Sequence, residues 1–564
     1  MRRLSSISFS SPVSFISLVP FISLTLLVIV FLRQATFTNL IFPRGDTFFY
    51  FYPYWEYRAQ SLLAGRLPLW NPYIFMGVPF LANSQAGVFY PLNLPLIFFS
   101  APVAVKITII VHLIIATWGT YLLARSIFNL QPSPAAFAAT LFALGGYLTA
   151  QVEHVNQLQG LAWMPFALWA TSNIFNFKLQ TPKLIVHSSL FHCSLLSLSI
   201  ALQLTAGHTQ TTFITLVACV IVALHSMISG QWTVISKQSP ISTQSVQSLI
   251  TNYKLPISLF IVHCSLGFGL AALQLLPTLE LSQLSLRGGG LPLNEAISFS
   301  LNPLLIGRAL LPGYSRMIFS EFVGYIGVIP LTLAIVGATA IRRDKLIMLA
   351  AIIAFVGLFF AFGGYNPIYL LLARFVPGFN LFRVPARWLV LWALGASLLA
   401  GYGLQQLQTP NFKLQKILLC ASAPLLLIMV TFLSANITPS GETGPIGLPQ
   451  LIDLTLWFTP LIIITLTHHV SRITPHASPL THHASRITQY VIITLSIIEL
   501  LLASQSLPLN HLTTPDAYSS IRPAMTQLLA TKNDSLPAGR FLSLSSLEFD
   551  PGDMPELKSA WDSQ

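Results

Sequence analysis

The carboxylate in Ile41-Phe42-Pro43-Arg44-Gly45-Asp46-Thr47 follows the first apolar stretch of the chain and stands two residues from an arginine. Charged residues make up only 8% of the sequence, so an ionised side chain kept at a membrane surface beside a cation points to chemistry. A second polar run, Gln151-Val152-Glu153-His154-Val155-Asn156-Gln157, offers Glu153 and His154, and Gly207-His208-Thr209-Gln210 offers His208. By residue type alone each could be a solvated turn or a structural hydrogen bond; their expected place on the same face as Asp46 makes them candidates. In Phe382-Arg383-Val384-Pro385-Ala386-Arg387-Trp388 two arginines stand four apart at an expected helix start, which puts both on one face. Guanidinium groups suit bidentate contact with phosphate, and a helix N-terminus adds partial positive charge. Glu280, Arg287 and Glu321 flank a long outer loop and are candidates for substrate contact.

The elements that must carry these residues are read from hydropathy. The hydrophobic fraction is 54% and the mean hydropathy +0.70, whereas a soluble chain carries about a quarter charged residues. Apolar runs of a length to cross a hydrocarbon core predict an all-α polytopic integral membrane protein. Thirteen transmembrane helices are expected near 13–32, 103–127, 134–150, 159–176, 187–206, 210–228, 256–277, 322–341, 346–363, 386–405, 415–434, 453–468 and 489–505. The first is too long for a signal-peptide core and lacks a small-residue cleavage site, so it reads as a retained span. Met1-Arg2-Arg3 places the N-terminus in the cytoplasm, and every inner loop then holds a lysine or arginine. Of seventeen Asp and Glu residues only Asp344 would face inward; Asp46, Glu56, Glu153, Glu280, Glu295, Glu321 and Glu442 lie outside. The long connections, 33–102, 278–321 and 364–385, are also outer ones, so the working face is extracytoplasmic. Residues 1–505 form the membrane domain. The polar tail 506–564 lies outside, carries one strand-like alternation at 538–544, and reads as a short or shortened outer segment.

The first outer loop is rich in aromatic residues, Pro and Gly. Asp46 to Glu56 places rings on nearly all sides of a short helix, expected to lie along the interface. Two charges, Lys106 and Glu499, fall inside apolar segments, where ionisable groups are functional candidates. The net charge of +12 is scattered over short inter-span patches, which argues against nucleic acid as a partner. Cys193, Cys219, Cys264 and Cys420 lie in apolar runs without a CxxC pair, so neither a disulfide framework nor a zinc site is indicated. Thr467-His468-His469-Val470-Ser471-Arg472-Ile473-Thr474 recurs at 481–488 with no carboxylate or cysteine beside it, and reads as a duplicated linker.

Gly45-Asp46, Gly65-Arg66-Leu67-Pro68-Leu69-Trp70-Asn71-Pro72, Gly77-Val78-Pro79 and Phe89-Tyr90-Pro91-Leu92 together resemble the start of the bacterial membrane protein YfhO family. Trp163-Met164-Pro165, Gly207-His208-Thr209-Gln210, Leu279-Glu280-Leu281-Ser282, Pro312-Gly313-Tyr314, Gly324-Tyr325-Ile326-Gly327 and Phe382 to Trp388 agree in order, so the resemblance covers most of 40–405. That family is similar to the GT-C glycosyltransferases, whose first outer loop carries a catalytic carboxylate; on this chain it maps onto Asp46. Many such enzymes show two neighbouring acidic residues, whereas Gly45-Asp46-Thr47 holds one. The resemblance implies transfer of a sugar from a polyprenyl-phosphate donor to a cell-envelope polymer or glycolipid, teichoic acid among them, at the bacterial plasma membrane. Such a transfer needs a base for the acceptor hydroxyl and cations on the departing phosphate. Asp46 would be that base, or the ligand of a divalent cation, the one cofactor considered; Glu153 and His154 would assist, and Arg383 and Arg387 would hold the phosphate. The competing reading is a transporter or flippase for a lipid-linked saccharide. It predicts repeated halves and groups near the bilayer midplane, while this sequence shows no repeat of spans and gathers its polar residues at one face.

Overall fold

A chain this apolar must close its backbone hydrogen bonds within its own segments, and it does so almost entirely in helices. The computed structural model describes residues 15–43, 45–74, 76–176, 182–235, 243–285, 288–407, 414–440, 444–473 and 479–519. Among these the only strands are Trp70–Asn71 and Val78–Pro79, an antiparallel pair inside the connection 33–102. The chain divides into a unit Met1–Pro515 and a unit Asp516–Gln564, and of the second only the helix Asp516–Ser519 is described. Arg44, Arg287, Glu442 and the pattern at 538–544 lie outside the described residues, as do the side chains of the histidine repeats.

Five described helices are long and apolar enough to cross a membrane: Ala101–Ser126, Pro132–Glu153, Thr209–Ser229, Pro385–Gln406 and Thr488–Ser506. A sixth crossing exists if Lys254–Leu270 and Ala272–Gln283, bent by 77°, count as one. Shorter apolar helices lie at Leu18–Phe31, Leu190–Ala206, Val328–Ala338, Lys345–Ala361, Cys420–Leu433 and Leu451–Ile462. The thirteen expected segments thus fall on helices, but not as thirteen straight crossings. The segment 159–176 breaks between Val155–Leu161 and Met164–Phe175, where Pro165 occupies the first turn of the second piece, a position at which its missing N–H costs nothing. The segment 322–341 is α-helical only from Val328, after the 3-10 turn Ser320–Phe322 and a non-helical stretch to Gly327. The segment 386–405 becomes α-helical at Leu389, after Val384 takes a left-handed conformation and 385–388 a tight turn.

The centre of the bundle is the helix Leu389–Gln406, which packs on Val328–Ala338, Lys345–Ala361 and Pro132–Leu144. Leu389, Leu391, Leu394, Leu398 and Leu404 are all buried there. Buried hydroxyls are satisfied within their own helices: Thr117 donates to Leu113 O at 2.6 Å, Thr140 to Ala136 O at 2.9 Å and Ser397 to Ala393 O at 2.7 Å.

Both embedded charges have structural partners. Lys106 Nζ donates to Thr38 O at 3.0 Å. Glu499 accepts from the backbone N–H groups of Val328 and Ile329 and from the Tyr314 hydroxyl. It therefore caps the free N–H groups at the start of Val328–Ala338 from across the bundle.

Candidate functional site

The long connection 33–102, the first loop, is fixed by a small core of its own. Phe51, Tyr52, Tyr54 and Trp55 are buried, while Phe49, Tyr73 and Met76 are 76–80% exposed. The expected interfacial helix is therefore largely an inward-packed one. The helix Tyr52–Leu63 holds its rings against Phe80, with Tyr54 and Phe80 centroids 5.0 Å apart. Tyr52 Oη accepts from Phe42 N at 3.0 Å, anchoring the approach to Asp46. Arg58 is buried, donates to Ala86 O at 2.9 Å, and lies 4.2 Å over the Trp55 ring. Burial pushes its guanidinium down to about 9. It clamps the helix to the turn Ser84–Ala86.

That turn is seated on the connection at Gly207. Ser84 Oγ donates to Gly207 O at 3.0 Å, and a Cβ at Gly207 (φ +93°) would fall 1.9 Å from Ser84 O. Only glycine fits both that conformation and that approach. Asn156 Nδ2 reaches the same Gly207 carbonyl at 3.5 Å.

Asp46 is carried onto the Gln151–Glu153 turn. Thr47 Oγ1 donates to Val152 O at 2.9 Å, and a Cβ at Gly45 would come within 3.2 Å of the Glu153 carboxyl carbon. The Asp46 side chain is 61% exposed, with Oδ2 3.7 Å from His154 Nε2. The other ring nitrogen of His154 lies 3.0 Å from Gln151 Oε1, and Gln151 Nε2 donates to Ser320 O at 3.3 Å. Three loops distant in sequence thus meet around one imidazole.

Behind this surface lies a buried ion pair. Arg387 donates through Nε to Glu321 Oε1 at 2.8 Å, brings Nη2 to 2.6 Å from the same oxygen, and donates through Nη1 to Gln210 Oε1 at 2.8 Å. Gln210 Nε2 in turn donates to Arg383 O at 2.9 Å. Tyr147 Oη donates to Arg387 O at 3.0 Å and accepts from Gln157 Nε2 at 3.3 Å. Burial alone would raise the Glu321 pKa; the Arg387 guanidinium, with His154, outweighs it and holds the carboxyl below its ordinary value. His208 Nδ1 lies 2.7 Å from Thr211 Oγ1. Burial first, then the charges of Arg387 and His154, hold its pKa well below the ordinary value, so it is neutral near pH 7.

Asp46, Glu153, His154, His208, Glu321 and Arg387 are therefore brought together. Two expectations change. Arg383 and Arg387 do not share a helix face, because the left-handed Val384 and the tight turn 385–388 separate them ahead of the helix. Arg383 is exposed, whereas Arg387 is held by Glu321 and Gln210. Glu280 is exposed on Ala272–Gln283, and no hydrogen bond or ion pair joins it to this cluster among the described residues. That helix turns away at the 77° bend and rests on the first loop, Gln274 Nε2 donating to Leu81 O at 2.8 Å. Arg287 lies outside the described residues.

Sequence reasoning missed the amides. Gln151, Gln157 and Gln210 all sit inside segments singled out for other residues, and each is buried. A glutamine in a mostly apolar stretch is itself a signal, since burial requires a partner. Among the described residues no three His, Cys, Asp or Glu side chains form a metal-binding group. Asp46 and His154 supply two donors, too few for a protein-built divalent-cation cage.

No protein-family model matches the chain. No curated protein matches either. Among solved structures the chain is similar to ArnT from Cupriavidus metallidurans bound to undecaprenyl phosphate, at 12% identity and TM-score 0.44, covering 89% of this chain and 78% of that one. It is also similar to the Archaeoglobus fulgidus oligosaccharyltransferase in the apo form, at 12% identity and TM-score 0.38, covering 85% and 56%. The arabinofuranosyltransferase AftD from Mycobacteria gives 15% identity and TM-score 0.35, covering 73% and 26%. All three scores lie below 0.5, and the chemistry below rests on this chain's own residues.

Proposed function

We propose that this chain is a membrane glycosyltransferase of the GT-C type, moving a sugar from a polyprenyl-phosphate donor to an envelope polymer or glycolipid outside the cytoplasmic membrane. The observation that carries the reading is the convergence of Asp46, His154, Glu321 and Arg387 from four outer segments onto one cluster. Asp46 is the exposed member, and an exposed carboxylate backed by an imidazole is placed to take a proton. In the proposed step an acceptor hydroxyl attacks the anomeric carbon while the bond from that carbon to the donor phosphate breaks. The hydroxyl proton passes to Asp46, the phosphate leaves with the bonding pair, and the anomeric centre inverts.

The arginines divide the work on the leaving group. Arg383 is exposed and would meet the phosphate; Arg387, neutralised by Glu321, fixes the segment through Gln210 and the Arg383 carbonyl. Glu153 and His154 would orient Asp46, and His208 would donate or accept a hydrogen bond as a neutral ring.

The sidedness of this reading has support from contacts at both ends. Segments read as inner touch one another: Lys345 Nζ donates to Ser229 O, Gln405 Oε1 accepts from Gln131 N, and Gln489 Nε2 donates to Ser133 Oγ. The cluster's segments are all read as outer. Membranes from cells expressing the chain should incorporate labelled sugar from a polyprenyl-phosphate donor pool into an envelope fraction, and membranes lacking it should not. Movement of the intact lipid-linked saccharide across the bilayer, without sugar transfer, would instead select the flippase.

A further inference from the structure

A cleft is lined by Arg308, Arg316, Tyr325, Asp453, Trp457 and Ser506 together with apolar residues of the segment 311–323. Its acceptors are already spent. Asp453 receives the N–H groups of Tyr314 and Ser315 at 2.9 and 3.0 Å, the Ser315 hydroxyl, and Gln450 N at 3.1 Å. Trp457 Nε1 donates to Pro312 O at 2.8 Å, and the Ser506 hydroxyl donates to Gly313 O at 2.5 Å and Ala503 O at 3.0 Å. Two donors remain over. Arg308 reaches Gly447 O through Nη2 at 2.6 Å, but its Nε is buried without a hydrogen-bond partner, and so is the Tyr325 hydroxyl.

A buried donor without a partner is destabilising. The residues that carry these two donors line one cleft, with a second guanidinium, that of Arg316, at its exposed edge. Burial pushes the Arg308 pKa down, and the Asp453 carboxylate opposes that shift. Beside the cleft, the helices Leu414–Leu433 and Leu451–Ile473 leave Leu426, Met429, Leu433, Leu451 and Ile452 50–76% exposed. In a bilayer that flank is covered by acyl chains.

We propose that the Arg308–Tyr325 cleft binds the phosphate headgroup of an anionic membrane lipid, whose chains lie along that exposed flank. Arginine and phenol donors suit phosphate oxygens, and a basic pocket between membrane helices is the geometry that recognises such a headgroup. No residue of the Asp46 cluster lines this cleft, and the proposal does not depend on the sugar-transfer reading.

The test is native mass spectrometry of the full-length protein exchanged from detergent with phosphatidylglycerol, phosphatidylcholine or inorganic phosphate. Wild type should retain phosphatidylglycerol over phosphatidylcholine. Arg308→Gln should weaken retention by roughly tenfold or more, the loss of a charge-assisted hydrogen bond. Because Arg308→Gln also frees the Gly447 carbonyl, Tyr325→Phe serves as the milder variant and should lose retention several-fold with its melting temperature unchanged. Equal retention of the two lipids, or full retention by a folded Tyr325→Phe, overturns the proposal. Stabilisation by inorganic phosphate but not by phosphatidylglycerol overturns the lipid source and leaves a soluble anion.

Discussion

Asp46 and Glu321 are carboxylates in opposite surroundings, and their surroundings assign them different work. Asp46 is 61% exposed at its side chain and Glu321 only 2%. Glu321 neutralises Arg387 in the interior, and removing one partner of such a pair costs about 3–5 kcal/mol. Glu321→Gln should therefore lower the melting temperature markedly, and Arg387→Gln should do the same. The sign of the pH dependence follows from the depressed pKa of Glu321. Its stabilisation is fully present above the ordinary carboxylate value and is lost as pH falls through the lower folded value. Acid titration of the melting temperature should show that loss in wild type and a shallower one in Glu321→Gln. Asp46, Glu153 and His154 stand out in the sequence because they are polar residues in connections between apolar segments that carry few charges. The Glu321–Arg387 pairing was not: the partners are 66 residues apart, and neither periodicity nor spacing encodes such a contact.

At the level of elements, the site exists because loops are stitched to one another rather than because helices aim at it. Gly207 is the tightest stitch. Gly207→Ala imposes a strained backbone costing on the order of 1–3 kcal/mol and sets a methyl against the Ser84 carbonyl. The variant should melt lower and should lose transfer through displacement of the first loop, which a rise in proteolysis between 64 and 90 would report. Arg58→Met keeps the apolar stem but removes the bonds to Ala86 and Gly87; the same cleavage should increase while helix content stays constant. Hydropathy located the helices but not their interruptions. The breaks near Trp163 and Ala271 and the late start at Val328 depend on a proline in a first turn, a contact of Gln274 with the first loop, and a cap from Glu499. Only the proline is visible locally. The loop aromatics misled for a related reason: rings suited to an interface also suit a small core, and Phe80 supplied the partner.

For the whole molecule, contacts at each end join segments of like expected sidedness, so the reading of inner and outer faces is open to direct measurement. In a background with the four native cysteines replaced, Tyr73→Cys should label with an impermeant thiol reagent from outside, and Arg343→Cys only after the membrane is opened. Both positions are exposed. The reverse pattern would put the Asp46 cluster in the cytoplasm and remove the proposed donor from its reach. The most direct test of the central claim is sugar transfer from a polyprenyl-phosphate donor in membranes holding wild type or Asp46→Asn at matched expression. Loss of the general base should lower transfer by roughly 10²–10⁴-fold with the melting temperature unchanged, since the Asp46 side chain is mostly exposed. Equal transfer by the two proteins would contradict the account and take Asp46 out of the chemistry.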